Sequence, residues 1–415
     1  MKTWILFFLP CLVFGQGSDI RPLPVVDPAE AGMSAEALGK IDGAVERLIA
    51  EKKLVGANVL VMRGGRIIYE ESFGMRDAAA GAPMQEDSIF RIYSMTKAIT
   101  SAAALMLCEE GKLSLDDPVE RHLPAFAEAP VWIDEGSTRQ SPRSPTVRDL
   151  LRHTGGFTTL RGAHPVSRAY RRGWVRPKAR RLDRLVANVA ETPLLYPPGE
   201  RWVYGISSDL LAAVVASAAE KPFEEVIRER LLGPLGMVDT AYSVPKEKAN
   251  RLTVRYQIRG ETISVGDPAV GSRVLQDPGF KGGGSGLLST IRDYARFLQM
   301  IANGGEFQGR RYLREDTVDL MRTNQLPRPL THISFGSQQR YGTAFGLGFA
   351  VRIADDERWD PDALLGDYGW GGAASTHYWI SPRHDLVVIT MEQTMPYNGN
   401  LELALKPLIY DAVLK

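Results

Sequence analysis

The sequence predicts an α+β fold: an antiparallel sheet flanked by N- and C-terminal helices, with a mainly helical lobe inserted between its strands. Three observations favour it. A helix and a β-hairpin come first, apolar helices dominate the middle, and strands followed by a helix close the chain. The two ends can then share one sheet while the middle forms its own lobe. The length of 415 residues also favours two lobes, because a single hydrophobic core stops growing at about 250–300 residues.

The sheet lobe is predicted to comprise residues 22–88 and 286–415, and the helical lobe residues 89–285. Ser34 is a suitable N-cap and precedes a segment with one apolar helical face. Segments rich in β-branched residues and bounded by Gly or Pro turns predict strands. These strands are predicted over residues 57–62, 66–72, 346–353, 374–380 and 386–391, and a last helix over 401–414.

Charge and composition argue against several classes of protein. The formal net charge of +1 disfavours a general nucleic-acid binder, whose affinity depends on a large basic excess. Basic residues do cluster between Arg168 and Arg184, which favours a solvated face that could also border a pocket for an anionic ligand. The six histidines are scattered without a ligand pattern, so neither a metal nor a cofactor is expected.

Residues 1–15 form a predicted signal peptide. Lys2 precedes an apolar run that ends at Phe14, and Gly15 offers a small residue for cleavage. An uncleaved interfacial anchor is the alternative, but the run is too short for a stable membrane span. We therefore expect an exported protein, periplasmic or secreted. Removal of this segment leaves Cys108 as the single cysteine, which excludes an intramolecular disulfide.

Ser94 and Lys97 stand three residues apart at the start of an apolar segment that predicts a buried helix. Residues at this spacing share one helix face, and the free N–H groups of a first turn would surround the hydroxyl. A serine nucleophile needs a base, and an amine can serve where its surroundings lower its pKa. The spacing alone is weak evidence. Ser243 and Lys246 repeat it around Pro245, where a structural role is favoured.

Two further stretches contain candidate functional residues. Tyr204 follows a Pro/Gly turn and precedes an apolar helix, for which Ser207 or Ser208 is the expected N-cap. The Tyr204 hydroxyl could point into a cleft, and the alternative is a packed core tyrosine. The glycine-rich run of residues 280–286 lacks the spacing of a phosphate loop, so it is interpreted as a tight turn.

Four stretches occur in the order and spacing of the penicillin-recognising serine hydrolases. From about residue 25 to its end, the chain most resembles the class C β-lactamase-related esterases called family VIII carboxylesterases. The resemblance implies a β-lactamase/transpeptidase-like fold with the active site at the lobe boundary. The stretches are Ser94-Met-Thr-Lys97, Pro198-Gly-Glu-Arg-Trp-Val-Tyr204, Gly284-Ser-Gly-Leu-Leu-Ser-Thr290 and Gly369-Trp-Gly-Gly-Ala-Ala-Ser-Thr376.

The resemblance also implies a serine carboxylesterase that acts on a small-molecule ester through an acyl-serine, without metal or cofactor. Ser94 would be the nucleophile, while Lys97 and Tyr204 would exchange its proton as base and acid. The backbone N–H groups of Ser94 and Ala373 would form the oxyanion hole. The family's Lys-Thr-Gly triad on the edge strand is replaced here by Trp370, Gly371 and Gly372.

Two departures from the family pattern concern the substrate. Tyr204 is followed by Gly205 and Ile206, so the asparagine amide of the β-lactamases is missing. Trp370 replaces the lysine that would bind a substrate carboxylate. Both changes favour neutral, short-chain or otherwise unhindered esters. The alternatives are a β-lactamase, D-amino-acid peptidase or transacylase of the same fold, and, from another class, an acylated binding or sensor protein without turnover.

Other matches to catalytic motifs are set aside. The residues from His153 to Gly155 resemble a third motif but precede Tyr204, and Ser208-Asp209 continues with a leucine rather than the expected asparagine. The sequence contains no GxSxG elbow, which disfavours an ordinary α/β-hydrolase. The natural ester, the acyl length and the oligomeric state stay open.

Overall fold

The computed structural model describes residues 20–160, 162–172, 181–335 and 337–414. The predicted signal peptide, residues 1–15, lies outside the described residues. So do Arg176, Lys178 and Arg180 at the centre of the basic cluster. The export of the protein and the role of this cluster therefore stay predictions.

Helices fill most of the chain between the two groups of sheet strands. Apolar residues recur with helical spacing along the longer helices and form their buried faces. In chain order the α-helices are α1 (Ala35–Leu38), α2 (Lys40–Ala50), α3 (Thr96–Glu109), α4 (Val147–Leu151), α5 (Pro165–Arg172), α6 (Leu182–Ala190), α7 (Ser207–Ala219), α8 (Phe223–Ile227), α9 (Ile291–Ala302), α10 (Glu315–Arg322) and α11 (Asn400–Asp411).

The strands come mainly from the two ends of the chain, and short two- or three-residue pairs lie between them. They are β1 (Gly56–Arg63), β2 (Arg66–Asp77), β3 (Ala82–Pro83), β4 (Phe90–Arg91), β5 (Val131–Asp134), β6 (Ser137–Arg139), β7 (Arg255–Arg259), β8 (Thr262–Asp267), β9 (Leu288–Ser289), β10 (Glu306–Phe307), β11 (Arg310–Arg311), β12 (Ile333–Phe335), β13 (Gln338–Arg340), β14 (Thr343–Phe345), β15 (Ala350–Arg352), β16 (Tyr368–Gly371), β17 (His377–Ser381), β18 (Leu386–Glu392) and β19 (Thr394–Met395).

The main sheet joins both ends of the chain, as predicted. In the described residues it has eight strands in the order β14-β15-β16-β17-β18-β1-β2-β3, and neighbouring strands are antiparallel. β1 and β2 form the predicted hairpin. β1 also pairs with β18 from the C-terminal part. The α+β class and the antiparallel sheet are therefore confirmed.

The two faces of the sheet pack against different helices. Val59 and Val61 of β1 join a cluster with apolar residues of α1, α2 and α11. Leu60 and Met62 point the other way, into the larger core that contains α3, α7 and α9. This alternation is the period-two pattern of a strand buried on both faces. The sheet therefore lies between an outer helical layer and the core that holds Ser94.

α3 is buried along nearly its whole length, as the sequence predicts. All but three of its residues are buried, including Thr96 and Ser101 among the polar ones. Ala102 and Ala103 belong to the same core as Ala212 of α7, and the two helices are in contact. Small residues on facing helices allow close packing. This packing holds the first turn of α3 firmly within the molecule.

Four local expectations need correction. The helix after Ser34 is divided into α1 and α2 at Gly39. α7 has Ile206 as its N-cap, without a side-chain cap, and both Ser207 and Ser208 lie inside its first turn. β14 was not predicted, because a strand of three residues is too short to show a clear alternation of apolar and polar residues. β16 lies between β15 and β17, so it is not an edge strand.

The position of β16 inside the sheet affects the candidate site. β15 pairs with residues 368 and 369 of β16 only, whereas Trp370 and Gly371 pair with β17 alone. In the described part of the chain, the C-terminal half of β16 therefore has a strand partner on one side only. The lobe boundaries stay a prediction, although residues 255–267 of the expected helical lobe form β7 and β8, which join β19 in a small sheet.

None of the described helices is both long enough and apolar enough to cross a membrane.

Candidate active site

Ser94 lies at a sharp turn in the backbone. The short 3-10 helix Tyr93–Met95 contains it and runs directly into α3. Tyr93 has a φ of 42°, in the left-handed region that costs a non-glycine residue about 1–3 kcal/mol. The preceding Ile92 N–H donates to the Leu287 carbonyl at 3.1 Å, and β4 pairs with β9. These bonds hold the strained turn and fix the position of Ser94.

Lys97 faces Ser94 from the next turn. Its side chain is nearly buried, with 6 % of the residue exposed. The Lys97 Nζ lies 3.3 Å from Ser94 Oγ and donates to the Gly284 carbonyl at 2.6 Å. In the described part of the chain, no carboxylate oxygen lies within 4.0 Å of this nitrogen. The amine is therefore held by uncharged groups in the described residues and lies within reach of the Ser94 hydroxyl.

Tyr204 completes the group on the side of α7. The Lys97 Nζ lies 4.7 Å from the centroid of the Tyr204 ring. The indole Nε1–H of Trp370 donates to the Tyr204 hydroxyl oxygen at 3.1 Å. Trp202 stacks on the tyrosine with ring centroids 5.9 Å apart. The structure thus brings together Ser94, Lys97, Tyr204 and Trp370, which the sequence separates by more than 270 positions.

The turn after β16 lies against the segment that precedes Ser94. The Gly372 N–H donates to the Thr376 carbonyl at 2.7 Å. A Cβ on Gly372 would lie 2.6 Å from the Ile92 carbonyl oxygen, so this close approach requires glycine. Ala373 follows directly in this turn. The predicted oxyanion-hole donors, the N–H groups of Ser94 and Ala373, therefore come from adjoining segments.

His153 is a part of this site that the sequence interpretation missed. It is 2 % exposed, and its ring centroid lies 5.0 Å from that of Tyr204. Burial, and to a smaller extent nearby Lys97, lower the pKa of His153 to about 3, so its imidazole is neutral. The sequence contains one signal for it, because the residues from His153 to Gly155 resemble a catalytic motif. This stretch precedes Tyr204, whereas the family's third motif follows it, so no role in the site was predicted. Its contact with Tyr204 is one of packing.

A cavity of about 710 Å³ opens beside Tyr204. Its lining is mixed, with Trp202, Phe335 and Leu330 among the apolar residues and Arg201, His332 and Gln339 among the polar ones. Phe335 also contacts the Tyr204 ring edge to face, with centroids 5.3 Å apart. Pockets that are largely apolar with a few convergent polar groups are typical of small-molecule sites. The tyrosine therefore stands between the serine–lysine pair and a space that can hold an organic group.

The second serine–lysine match has the structural role that the sequence favoured. Lys246 is exposed and begins a short 3-10 helix, Lys246–Arg251, for which Pro245 is the N-cap. Within the residues that the structure describes, no group of three or more His, Cys, Asp or Glu side chains could hold a metal ion.

The chain belongs to the Beta-lactamase family, whose sequence profile matches residues 41–406. The resemblance to the penicillin-recognising serine hydrolases and the β-lactamase/transpeptidase-like fold are thereby confirmed. Known proteins of this kind include both esterases and acyltransferases.

Two relatives and one solved structure illustrate this kinship. Protein Rv1367c of Mycobacterium tuberculosis (strain ATCC 25618 / H37Rv) is 35% identical over 352 residues, 83% of this chain and 86% of that protein. Esterase EstB of Burkholderia gladioli is 30% identical over 410 residues, covering 93% and 98%. The solved structure of EstCE1, a hydrolase with promiscuous acyltransferase activity, superposes with a TM-score of 0.77 at 25% identity and covers 90% of this chain and 99% of that one.

Proposed function

We propose that the protein is an exported serine hydrolase that cleaves carboxylic esters through an acyl-enzyme on Ser94. The convergence of Ser94, Lys97 and Tyr204, the last of which lines a cavity, supports this function. A serine hydroxyl is a weak nucleophile until an adjacent base takes its proton. The kinship with Esterase EstB supports the same reaction class. Residues 1–15, a predicted signal peptide, support export to the periplasm or the medium.

Acylation begins with the transfer of the Ser94 Oγ proton to the uncharged Lys97 amine, 3.3 Å away. The serine oxygen attacks the ester carbonyl carbon, and the carbonyl oxygen becomes an oxyanion. The N–H groups of Ser94 and Ala373 stabilise this oxyanion, a contribution that amounts to several kcal/mol in related reactions, about 3–4 kcal/mol per donor. The strained turn at Tyr93 presents the hydroxyl to the substrate.

The tetrahedral intermediate collapses when the leaving alcohol receives a proton. Tyr204 supplies this proton as general acid, and the proton held by Lys97, whose Nζ lies 4.7 Å from the Tyr204 ring centroid, replaces it. The transient tyrosinate accepts the hydrogen bond from Trp370 Nε1, which is strengthened by the negative charge. Water then hydrolyses the acyl-serine by the reverse proton path. Trp370 thus takes a new role in the place of the family's lysine.

The substrate is a neutral ester. Trp370 in the place of a lysine removes one cation for a substrate carboxylate, and Ile206 removes the amide that would hold an acylamino group. Trp202, Leu330 and Phe335 in the cavity beside Tyr204 offer apolar surface for an uncharged organic group. Acyl transfer to an alcohol is the second candidate activity. The volume of about 710 Å³ leaves room for an acceptor larger than water, and EstCE1 is described as having acyltransferase activity.

The decisive experiment measures hydrolysis of p-nitrophenyl acetate and butyrate by the purified protein and two serine variants. Ser94→Ala should lower kcat at least about 10³-fold, because the nucleophile is gone. Ser243→Ala is the matched control from the second serine–lysine match and should retain wild-type kcat. Full activity of Ser94→Ala would refute the proposed nucleophile.

Two further measurements separate the alternatives. A cephalosporin turned over with a kcat/KM comparable to that of the esters would favour a β-lactamase. Stoichiometric labelling of Ser94 by a fluorophosphonate without steady-state ester hydrolysis would favour an acylated sensor protein. Faster product formation when a primary alcohol is added, with the alkyl ester as product, would identify acyl transfer.

A further inference from the structure

One buried aspartate is linked to the proposed base through a single glycine. Asp209 of α7 is 9 % exposed, and its Oδ1 accepts the Gly284 N–H at 2.8 Å. The carbonyl of the same glycine accepts the hydrogen bond from Lys97 Nζ at 2.6 Å. Gly284 therefore connects the carboxyl group to the amine through its own N–H and C=O groups. In the sequence, Ser208 and Asp209 match part of a catalytic motif that Leu210 breaks.

The glycines at positions 282–284 allow the backbone to approach Asp209 closely. A Cβ on Gly282 would lie 2.3 Å from Asp209 Oδ1, and one on Gly284 would lie 2.7 Å from its Oδ2. A Cβ on Gly283 would lie 2.2 Å from the Ser208 carbonyl oxygen. Real Cβ contacts are essentially never so short, so a larger residue at these positions would force Asp209 or the α7 backbone to shift. The run of residues 280–286 is more than the tight turn that the sequence suggests.

Three consecutive carbonyls of this run are each held by a different side chain. The Tyr242 hydroxyl donates to the Gly282 carbonyl at 2.5 Å, and the Thr100 hydroxyl donates to the Gly283 carbonyl at 2.8 Å. Lys97 binds the third. Asp209 adds the bond to the Gly284 N–H. The backbone that faces the Lys97 amine is thus fixed from α3, α7 and the segment that contains Tyr242.

We propose that Asp209 is a positioning residue for Lys97: it anchors the Gly284 carbonyl against the amine and, through its negative charge, stabilises the ammonium form that arises during catalysis. This inference rests on the proposed function of Lys97 as base. The fixed carbonyl occupies one hydrogen of the amine, so that the nitrogen stays within reach of Ser94 Oγ. The carboxylate is close enough to act electrostatically but does not pair directly with the amine.

Several charged and titratable groups surround this pair. Asp209 faces Lys97 and Tyr242, and burial raises the pKa of Asp209 while Lys97 and the Gly284 N–H oppose that shift. Lys97 also faces His153, which is neutral, and Tyr204. Asp209 is the carboxylic acid within this set. Its removal should therefore alter the protonation of the amine more than the removal of any neighbour outside the set.

The test compares two variants of Asp209 with two of Asp293, a buried aspartate at the third position of α9. Asp293 is 5 % exposed and accepts hydrogen bonds from the Asp239 N–H and the Thr240 hydroxyl. It is therefore a buried, hydrogen-bonded aspartate like Asp209, but it does not bind the Gly284 segment. For Asp209→Ala we expect kcat on p-nitrophenyl butyrate and the rate of fluorophosphonate labelling to fall about 10–100-fold, with KM changed less than about threefold, because a small misplacement of a catalytic group is costly.

Asp209→Asn keeps an oxygen that can accept the Gly284 N–H but removes the charge. Its kcat at the optimum should stay within about threefold of wild type, and the acidic limb of the kcat/KM profile should move to lower pH by about one unit, because the ammonium loses a nearby anion. Asp293→Ala and Asp293→Asn should lower the melting temperature without moving that limb. An unchanged limb in Asp209→Asn would overturn the electrostatic part of the proposal.

The geometric part has its own refutation. It fails if Asp209→Ala retains wild-type kcat, or loses no more activity than Asp293→Ala. A wild-type protein that neither hydrolyses esters nor becomes labelled would instead refute the proposed function. In that case a crystal structure of Asp209→Ala still decides the positioning role: a Gly284 carbonyl that leaves the Lys97 amine supports it, and one that stays in place overturns it.

Discussion

Two lysines, Lys97 and Lys406, are buried to a similar degree but have opposite surroundings. They are 6 % and 2 % exposed. The partners of the Lys97 amine are the uncharged Ser94 hydroxyl, the Gly284 carbonyl and the Tyr204 ring. Lys406 of α11 binds the Asp360 carboxylate directly and lies 3.4 Å from a carboxylate oxygen of Glu402.

The difference separates the proposed catalytic amine from a structural one. Although burial acts against it, the carboxylates of Glu402 and Asp360 raise the pKa of Lys406, so this lysine stays an ammonium ion. Lys97 lacks such direct pairing in the described residues. The identity of the side chain is the same in both places. Its partners decide whether it can accept a proton.

The two lysines also lie on opposite faces of the sheet. Trp370 in β16 points toward Tyr204 and Lys97. Gly371, the next residue, pairs with His377 on the face covered by α11. Four substitutions test this contrast, in order of decreasing expected effect.

Lys97→Met should remove activity but leave the fold intact. Methionine has nearly the length of lysine and no charge, so it can fill the buried space without the base. We expect kcat on p-nitrophenyl butyrate to fall about 10³-fold, with little change in the melting temperature. Steady-state kinetics and thermal unfolding measure the two quantities. A large loss of stability with retained kcat would show that Lys97 is structural.

Lys406→Met should have the reverse effect. It leaves the Asp360 and Glu402 carboxylates buried without their partner, a change that lowers the free energy of unfolding by about 3–5 kcal/mol. The kcat of the folded fraction should stay within a few-fold of wild type. Chemical denaturation gives the stability, and active-site titration corrects the rate. If Lys406→Met were as stable as wild type, the contrast between the two lysines would be wrong.

Trp370→Phe tests the hydrogen bond to the Tyr204 hydroxyl. Phenylalanine keeps an aromatic ring but lacks the indole N–H that lies 3.1 Å from the tyrosine oxygen. We expect a loss of about tenfold in kcat, the size of one hydrogen bond to a charged group, with a smaller change in KM. His153→Phe serves as the control, since it retains packing on the same tyrosine. Equal losses in both variants would attribute the effect to packing.

Glu392 extends the contrast to a buried carboxyl group. Burial raises the pKa of Glu392 to about 8, above the ordinary 4.5, so the folded protein keeps a proton that the unfolded chain releases. Stability contributed by this group is therefore lost as pH rises from about 5 to 8. Glu392→Gln removes that loss, so its melting temperature should exceed that of wild type by about 2–4 °C at pH 8 and match it near pH 5. The opposite pH trend would contradict the shift.

The local parts of the site could be predicted because they depend on short-range geometry. The spacing of Ser94 and Lys97 implies one helix face, and the apolar residues that follow imply a buried helix. The hairpin of β1 and β2 follows from two β-rich runs around a Gly-Gly turn. The predictions failed for short strands and helix caps, such as β14 and the expected cap at Ser207. At these positions tertiary contacts outweigh local conformational preference.

By itself, the sequence determined the fold class, the family and the residue types available for catalysis, because hydrophobic periodicity and motif spacing depend only on the order of residues in the chain. The tertiary structure alone decided which partners each of those residues meets: the Gly284 carbonyl and Asp209 for Lys97, and Trp370 and His153 for Tyr204. These contacts depend on the path of distant backbone segments. Whether a buried amine is reactive or merely paired is set by what lies within about 4 Å of it, and that distance is fixed only when the chain has folded.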